Sequence, residues 1–307
     1  MTDTATQTKK NDDEDRQIQD TMSALMADPS AKKIMVIGGP DTGKTTTLHA
    51  MLSAATLPTA LVDLDLGQSH VGPPAMLAWG WWRPEYGLLE QVVSERLFFV
   101  GATSPLANPT GAISGAAAVV SDAADHADKV LIDTSGAIAG RFARRLKLEK
   151  VKALRPDVVL ALRRHAELDH ILAEIEQERL ARIVLLPVTK IVMDKSSRDR
   201  AAYRRSKFAE YFSAARQMRL SLDEVEVLRF GSASRTGDEY AGLVERLLVG
   251  LVDRVGRHQG LAILEAIDRE GRALIVLGNL PAGSRAAALI PGRMRVMQDG
   301  SEQPLPK

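Results

Sequence analysis

The clearest regularity along the chain is a series of short apolar runs that begins near Lys32 and alternates with longer stretches of helical character. The runs read KIMVIGG, TALVDLDL, RLFFVGAT, KVLIDTSG, DVVLALRR and ARIVLLPVT. Their apolar residues are nearly continuous, which indicates strands that are covered on both faces. The pattern therefore predicts an α/β fold in which helices flank a mainly parallel sheet.

The pattern changes towards both ends of the chain. Residues 1–30 are mostly polar, and we expect them to be largely flexible apart from a short helix over 15–27. After Ser213, VEVLRF predicts a strand, EYAGLVERLLVGLVDRV an amphipathic helix, and GLAILEAIDREGRALIVLG two strands around a polar turn. The chain is thus divided into a flexible segment (1–30), a main domain (31–220) and a small β-rich C-terminal domain (221–307).

Composition narrows the class of protein. The chain has 307 residues, of which 45% are hydrophobic and 26% charged, enough for one large core and a smaller one. The net charge of +1 provides no general attraction to nucleic acid, so a nucleic-acid-binding face would have to be local. With no cysteine, no signal-like N-terminus and no run of about 18 apolar residues, we expect a cytoplasmic protein without a membrane span.

A glycine-rich loop follows the first apolar run. It matches the spacing GxxxxGK(S/T) through Gly38, Gly43, Lys44 and Thr45. In such a P-loop, backbone N–H groups wrap a phosphate, the lysine reaches the β- and γ-phosphate oxygens, and the hydroxyl binds Mg²⁺. The sequence therefore predicts a P-loop NTPase fold with a nucleotide site at Gly38, Gly39, Pro40, Asp41, Thr42, Gly43, Lys44, Thr45 and Thr46.

Two carboxylates end the next run, in VDLDLGQS. A strand beside the one that carries the P-loop can place an acid near Mg²⁺ and the γ-phosphate. Asp63 and Asp65 are two residues apart, so on a strand they share a face. Asp65 is the principal catalytic and metal-binding candidate. Asp63 is either a second metal ligand or a solvated residue at the strand end.

Five ordered blocks of sequence carry a resemblance to a known family. GPDTGKTT, DLDLGQS, FFVGATSPLAN, LIDTSG and VLLPVTKIVMDKSSRDRAAYRRSKFAEYF resemble the polynucleotide 5′-hydroxyl kinases of tRNA splicing, mRNA 3′-end processing and pre-ribosomal RNA processing. The resemblance implies transfer of the γ-phosphate of ATP, or GTP, to the 5′-OH end of RNA or DNA with Mg²⁺. It also implies that Asp65 activates the 5′-hydroxyl and helps to organise Mg²⁺, while Lys44 and Thr45 take the P-loop roles.

The last block carries a basic segment, around 195–212, that resembles the lid of the family. Lys195, Arg200 and Arg204 occupy the family's three basic positions, which implies catalytic roles for them. On a helix, Arg200, Arg204 and Lys207 share one face, and guanidinium groups suit the charge that spreads over a migrating phosphoryl group. Lys195 departs from the family because an ammonium group has no planar fork. A solvated basic helix is the alternative interpretation.

A second departure concerns the grip on the acceptor. The family commonly has a tryptophan after the glycine of N-T-x-G, where it clasps nucleic acid, but this chain has Ala137 there. All three tryptophans, Trp79, Trp81 and Trp82, lie in AWGWW. We hypothesise that one of these rings stacks on a base instead. The alternative is an apolar loop that packs on the core.

Several further residues match family motifs. Gln68, in D-x-G-Q, is expected to orient the nucleophile or a phosphate, or else to stabilise a turn. Thr103 and Asn108, in T-x-P-x-x-N, are expected beside the acceptor strand. Asp133 is expected either to contact a ligand of Mg²⁺ or to cap a helix. The basic residues of GRFARRLKLEK could follow a nucleic-acid backbone or form a solvated helix face.

Two other functions remain open. A P-loop NTPase switch or adaptor would hydrolyse nucleotide to control a partner. A catalytically weak family member would bind RNA without efficient transfer, as Ala137 and Lys195 suggest. Only about 30 mostly polar residues precede the P-loop, so we expect no assembly through an N-terminal domain. The choice between RNA and DNA, the protein partners and the oligomeric state are not encoded in recognisable motifs.

Overall fold

The structure, a computed structural model, describes residues 2–188, 195–228, 240 and 242–306, and only the backbone of residues 2–14. Its helices are α1 (Thr2–Ala27), α2 (Lys44–Ser53), α3 (Pro109–His126), α4 (Arg141–Leu154), α5 (Asp169–Gln177) and α6 (Ser197–Phe212), with a 3₁₀ turn at Leu89–Gln91. Its strands are β1 (Lys33–Gly38), β2 (Thr59–Leu64), β3 (Met76–Trp81), β4 (Ser94–Phe99), β5 (Lys129–Thr134), β6 (Val158–Arg163), β7 (Arg182–Pro187), β8 (Arg216–Ser221), β9 (Glu226–Val227), β10 (Leu247–Val252), β11 (His258–Asp268), β12 (Ala273–Gly278), β13 (Ala288–Val296) and β14 (Glu302–Gln303). In this part of the chain no helix combines the length and the apolar character that crossing a membrane requires.

The chain forms two compact units. The first comprises Met1–Val62, Trp81–Val92 and Val120–Asp194, and the second comprises Asp63–Gly80, Val93–Val119 and Lys195–Lys307. These units divide the chain differently from the sequence-based boundary at residue 220. The reason lies in the apolar residues of α6, since Phe208 and Phe212 are fully buried in one cluster with residues of the C-terminal strands.

A parallel sheet forms the centre of the first unit. Its strand order is β2-β5-β1-β6-β7. β1 pairs in parallel with β5 and β6, so that Ile34 lies opposite both Leu131 and Val158. These three central strands are buried almost throughout. The parallel sheet predicted from the continuous apolar runs is therefore confirmed.

The second unit is mainly antiparallel, apart from a short parallel pairing of β9 with β13. β4 pairs antiparallel with β3, β11 with β10 and β12, and β13 with β10. The run RLFFVGAT is thus a strand, but it lies antiparallel to its neighbour β3, which carries MLAWGW and was not predicted as a strand. The predicted C-terminal hairpin is confirmed, because β11 and β12 pair with Asp268 opposite Ala273.

One predicted helix is a strand. EYAGLVERLLVGLVDRV contains β10, whose six residues are all buried and pair with β11 on one side and β13 on the other. A run that is apolar on both faces has no periodicity that distinguishes a buried strand from a buried helix. Gly250 favours the strand, since an added Cβ would lie 2.5 Å from the ring of Phe99. The prediction of an amphipathic helix is wrong for this run.

At the N-terminus, α1 extends further than the short helix that we predicted over 15–27. Met22, Leu25 and Met26 are buried on its last turns. The buried ammonium group of Lys129 donates hydrogen bonds to the carbonyl oxygens of Leu25, Asp28 and Ala31, at 3.2, 2.5 and 2.9 Å. The C-terminal end of α1 is therefore anchored to β5 through the Leu25 carbonyl in its last turn and through the Asp28 and Ala31 carbonyls that follow the helix.

Candidate active site

The P-loop of the first unit connects β1 to α2. Gly43 has φ of 85°, the left-handed conformation that glycine adopts without strain, and α2 begins at the next residue. A Cβ added at Gly38 would collide with Oγ1 of Thr42, which donates a hydrogen bond to the Gly39 carbonyl at 3.0 Å. The glycines of the motif thus permit a tight loop, which aims the first N–H groups of α2 at the space where a phosphate binds.

Lys44 and the two threonines occupy the start of α2. Nζ of Lys44 donates to the carbonyl oxygens of Gly38 at 3.3 Å and Gly39 at 2.7 Å. Thr45 and Thr46 are exposed in the first turn of the helix. The ammonium group of Lys44 is therefore held at the loop, and Thr45 and Thr46 are accessible at the start of α2.

A second loop, at the end of β5, packs against the P-loop. A Cβ on Gly136 would lie 2.8 Å from the backbone nitrogen of Pro40. The buried Lys147 of α4 donates to Oγ1 of Thr134 at 3.0 Å and to the carbonyl of Ser135 at 2.7 Å. Asp133 is buried, and its Oδ1 accepts from the backbone N–H of Thr134 at 2.7 Å. Asp133 therefore helps to form this turn.

Two basic residues of the first unit have roles that the sequence did not predict. Lys147 belongs to GRFARRLKLEK, whose basic residues were expected to follow nucleic acid or to form a solvated face, but it lies on the buried face of α4. Arg164, after β6, donates from Nη2 to the carbonyl oxygen of Asp41 in the P-loop. Asp41 has a φ of 52°, in the left-handed region that residues other than glycine seldom adopt. No motif in the sequence pointed to Arg164.

In the second unit, Asp63 is buried and organises the loop that follows it. Its Oδ1 accepts from the N–H of Asp65 at 2.9 Å. Its Oδ2 accepts from the hydroxyl of Ser69 at 3.2 Å and from the N–H groups of His70 and Val71, at 2.5 and 3.0 Å. Burial raises the pKa of Asp63, and these donors and the charge of His70 oppose that effect. This geometry argues against both a solvated strand-end residue and a metal ligand, since both oxygens are engaged.

Asp65 is half-buried, and one of its oxygens accepts two hydrogen bonds. Oδ1 accepts from the N–H groups of Gly67 at 3.0 Å and Gln68 at 3.1 Å. Among the described residues, no hydrogen-bond donor is found for Oδ2. Asp65 is therefore oriented by its loop and retains an oxygen for chemistry.

The predicted basic lid is the helix α6. Ser196 caps it, because its hydroxyl accepts from the N–H of Asp199 at 3.1 Å while the Asp199 carboxylate accepts from Ser196. Lys195 is exposed immediately before this cap. Gln68 donates from Nε2 to the carbonyl oxygen of Arg200 at 3.2 Å. Gln68 thus joins the Asp65 loop to α6, a contact that favours the structural interpretation of this amide.

The carboxylate of Asp65 and the aliphatic stem of Arg204 both lie near Gly67. If Gly67 carried a Cβ, Oδ1 of Asp65 would lie 3.7 Å from it and Cδ of Arg204 3.9 Å from it. The carbonyl oxygen of Thr103 would lie 2.9 Å from the same point. The second unit therefore assembles three of the predicted site residues around a glycine that leaves room for them.

Asn108 does not face a substrate. It is buried, its Nδ2 donates to the carbonyl of Val100 at 2.8 Å, and its Oδ1 accepts from the N–H of Gly111 at 3.1 Å. Asn108 is the residue before Pro109, the first residue of α3, so it is the helix N-cap. The structure therefore argues against its predicted role in substrate binding.

The tryptophans are mostly part of the core. Trp79 lies in β3 with 3% of its surface exposed, and Trp82 is 8% exposed. Trp82 makes edge contacts with His49 and Tyr86 at 5.6 and 5.7 Å between ring centroids. A ring so buried offers no face to a base, which argues against stacking by Trp79 and Trp82. Trp81 is half-buried and stays a candidate.

The fold and the loop define the class of this protein. A buried parallel strand, a loop with a left-handed glycine before Lys44 and a helix beginning at that lysine are the features of a P-loop nucleotide-binding protein. Residues 38–214 match the model of the mRNA cleavage and polyadenylation factor CLP1 P-loop family, and the chain belongs to that family.

Several known proteins are similar over most of the chain. A polyribonucleotide 5′-hydroxyl-kinase of Pyrococcus abyssi is 28% identical over 320 residues, covering 88% of this chain and 89% of the relative. One of Methanocaldococcus jannaschii is 30% identical over 68% of this chain and 58% of the relative. The solved structure of Clp1p in complex with a Pcf11p segment covers 91% of this chain and 79% of that one, with a TM-score of 0.65 and 12% identity. This last likeness supports the fold.

Proposed function

We propose that this protein is an ATP-dependent polynucleotide 5′-hydroxyl kinase that transfers the γ-phosphate to the 5′-OH end of RNA or DNA. The observation that carries the proposal is that the carboxylate of Asp65 and the stem of Arg204 both lie near Gly67 in a chain that also has a P-loop. Transfer to a hydroxyl needs a base for its proton and cations for the migrating group. Family membership and relatives named polyribonucleotide 5′-hydroxyl-kinases support the same reaction.

On the donor side, we assign the phosphates of ATP to the P-loop, with GTP as the alternative nucleotide. The N–H groups of the loop and of the first turn of α2 bind phosphate oxygens, and Lys44 turns its ammonium group towards the β- and γ-phosphates. Arg164, which donates to the P-loop carbonyl of Asp41, restricts the loop. The nucleotide is thus held by backbone groups and by Lys44.

Mg²⁺ fits the residues that are present. Among the described residues, no three His, Cys, Asp or Glu side chains group as a metal site. Mg²⁺ in kinase sites needs only one or two protein oxygens beside phosphates and water. The exposed hydroxyl of Thr45 and the carboxylate of Asp65 are proposed to hold the ion, which when bound neutralises phosphate charge. Asp63 is not assigned to it, because its oxygens organise the loop.

On the acceptor side, Asp65 accepts the proton of the 5′-hydroxyl while that oxygen attacks the γ-phosphorus. The bond between the γ-phosphorus and the bridging oxygen breaks, and ADP leaves. Arg200, Arg204 and Lys195 counter the charge that spreads over the three oxygens of the migrating group. Gln68 contributes by holding the Asp65 loop to α6.

For the grip on the acceptor strand, we add Phe142 to Trp81. The ring of Phe142 is 72% exposed in the first turn of α4. The guanidinium carbon of Arg141 lies 5.5 Å from the ring centroid, and Arg145 is exposed one turn further on. An exposed ring flanked by arginines can stack on a base while the cations bind phosphates. Because the relatives are named as polyribonucleotide kinases, RNA is the first acceptor to test.

The direct test separates transfer from hydrolysis. The protein is incubated with γ-labelled ATP, Mg²⁺ and a 5′-OH oligonucleotide, and labelled oligonucleotide is separated from free phosphate. Label on the oligonucleotide supports the kinase, whereas free phosphate at the same rate with and without oligonucleotide supports an NTPase switch.

A 5′-phosphorylated end serves RNA processing or nucleic acid repair, and the absence of cysteine suits a cytoplasmic setting.

A further inference from the structure

The guanidinium group of Arg204 forms a two-point ion pair with a carboxylate near the C-terminus. Nε donates to Oε1 of Glu302 at 2.5 Å, and Nη2 donates to Oε2 at 3.1 Å. The two side chains are 21% and 26% exposed. Fork-to-fork geometry of this kind fixes the plane of the guanidinium group as well as its position.

The fold holds Glu302 against α6 through the turn that precedes it. Gly300 has φ of 81°, and a Cβ there would collide with the carbonyl oxygen of Arg205 and lie 2.8 Å from the backbone nitrogen of Ala209. The turn therefore touches the helix backbone directly. Beside this contact, the Asp299 carboxylate pairs with Nη2 of Arg205 at 2.5 Å. Glu302 is consequently placed by backbone contact and not by its ion pair alone.

The pair leaves part of Arg204 available for a phosphate. A guanidinium group carries five N–H bonds, and Glu302 takes one from Nε and one from Nη2. The remaining N–H bonds, two on Nη1 and one on Nη2, point away from Glu302. The stem of Arg204 passes the same glycine as Asp65. The carboxylate of Glu302 thus restricts the guanidinium group of Arg204 to one orientation.

We propose that Glu302 is a positioning residue for phosphoryl transfer, which acts by orienting Arg204 towards the migrating phosphoryl group. This inference rests on the proposed kinase function. The two side chains are about a quarter exposed, so a purely stabilising role for the ion pair is the alternative, which a change in melting temperature would reveal. A fixed catalytic cation, in contrast, raises the rate, since displacing a charged group by about 1 Å costs up to about a hundredfold.

The test compares Glu302→Gln with a neighbouring pair on the same helix. Glutamine has the size of glutamate but carries an NH2 group in place of the second acceptor oxygen, so it removes the two-point pair and keeps the packing. We expect kcat for 5′-OH transfer to fall about tenfold while KM for ATP and the melting temperature stay near those of the wild type. Glu302→Asp should recover part of the rate. Arg205→Gln, which breaks the adjacent exposed pair with Asp299, should leave kcat unchanged.

A double-mutant comparison shows whether Glu302 acts through Arg204. In an Arg204→Ala background, Glu302→Gln should cause no further loss of kcat. An equal loss in both backgrounds, a wild-type kcat for Glu302→Gln, or a change in melting temperature alone would overturn the inference. If the wild type transfers no phosphate, the proposed function fails and this inference fails with it. If the wild type is active and Glu302→Gln is also fully active, only this inference fails.

Discussion

The hydroxyl group of Tyr203 donates a hydrogen bond to the carbonyl oxygen of Ser69 at 2.7 Å. Ser69 itself donates to Asp63, so this bond connects α6 to the loop that Asp63 organises. The bond between Gln68 and Arg200 lies in the same region of the second unit. The proposed base and the proposed cations are therefore held together by hydrogen bonds between a loop and a helix.

Removal of this hydroxyl should slow transfer without unfolding the protein. For Tyr203→Phe we expect kcat to fall by roughly two- to tenfold, the range that a net hydrogen-bond contribution of about 0.5–1.5 kcal/mol supports. Tyr211→Phe is the matched control on the same helix, since the Tyr211 oxygen accepts from the N–H of Leu261 at 2.9 Å in the β-rich region. That variant should lose stability and keep its kcat. Equal kcat for Tyr203→Phe and the wild type would contradict this role.

The two carboxylates of VDLDLGQS should respond differently to the same change. Asp65→Asn should lower transfer by about 10²–10⁴, the usual contribution of a general base, with little change in unfolding temperature. Asp63→Asn should lower the free energy of unfolding by about 1–3 kcal/mol or more, because buried N–H donors lose their acceptor. Thermal unfolding and transfer rates, measured on both variants, check the assignment. Reversal of the two effects would make Asp63 the general base.

Gly136 should be required for nucleotide binding. Gly136→Ala places a methyl group 2.8 Å from the Pro40 nitrogen and 2.9 Å from its Cα, so the P-loop must shift. Overpacking of this size costs about 1–3 kcal/mol, and we expect ATP affinity to fall by roughly tenfold in equilibrium titrations. Gly87→Ala, which meets only a side-chain oxygen at 3.8 Å, should bind ATP normally. Normal affinity in both variants would show that the loop tolerates the contact.

Phe142 should contribute to binding of the acceptor strand. Phe142→Ala should weaken binding of a single-stranded 5′-OH oligonucleotide by about 1–3 kcal/mol, whereas Phe142→Trp should bind it with an affinity near that of the wild type. ATP affinity should not change. Trp81→Ala, measured in the same titration, decides whether the half-buried tryptophan also contributes. Unchanged oligonucleotide affinity in Phe142→Ala would remove this residue from the acceptor site.

His258 should make the stability of the protein depend on pH. Burial, reinforced by the charge of Arg96, lowers the pKa of His258 to about 4, and its Nδ1 accepts from the N–H of Phe99 at 3.1 Å. Between pH 6.5 and 4 the unfolded chain binds a proton that the folded chain does not. The free energy of unfolding should therefore fall as the pH drops, by up to about 1.4 kcal/mol per pH unit from this group.

Urea denaturation at several pH values checks this expectation against His258→Asn. The asparagine oxygen can accept from the same N–H but does not titrate. Its free energy of unfolding should therefore fall less steeply across this range. Parallel curves for the variant and the wild type would show that His258 is not the source of the dependence.

Much of the fold followed from the sequence because β1, β2, β5 and β6 are buried almost throughout and their apolar runs are continuous. β7 has a similar run but lies at the end of the strand order and is partly exposed, so the expectation that it is covered on both faces is wrong. The P-loop and the lid helix could also be predicted, because the starts of α2 and α6 are set by local geometry at Gly43 and Ser196. β10 was read as a helix because a run buried on both faces has no diagnostic period. Local structure could be predicted where local chemistry determines it.

The contacts that complete the candidate site could not be predicted, because they join distant segments. Glu302 lies 98 residues after Arg204, and nothing in the local sequence links the two. Asn108 matched a family motif, and only its hydrogen bonds show that it caps α3. Lys147 reaches the turn after β5 only because α4 packs against the loop that follows β5. Such roles depend on packing between elements.

The most direct test of the central claim is the transfer of labelled γ-phosphate from ATP to matched RNA oligonucleotides that carry either a 5′-hydroxyl or a 5′-phosphate. For a 5′-hydroxyl kinase we expect label on the 5′-OH oligonucleotide only, with transfer abolished in Lys44→Ala and strongly reduced in Asp65→Asn. A parallel DNA oligonucleotide defines the acceptor class. Release of free phosphate without labelling of any 5′-OH end, by folded protein that binds ATP, would contradict the account.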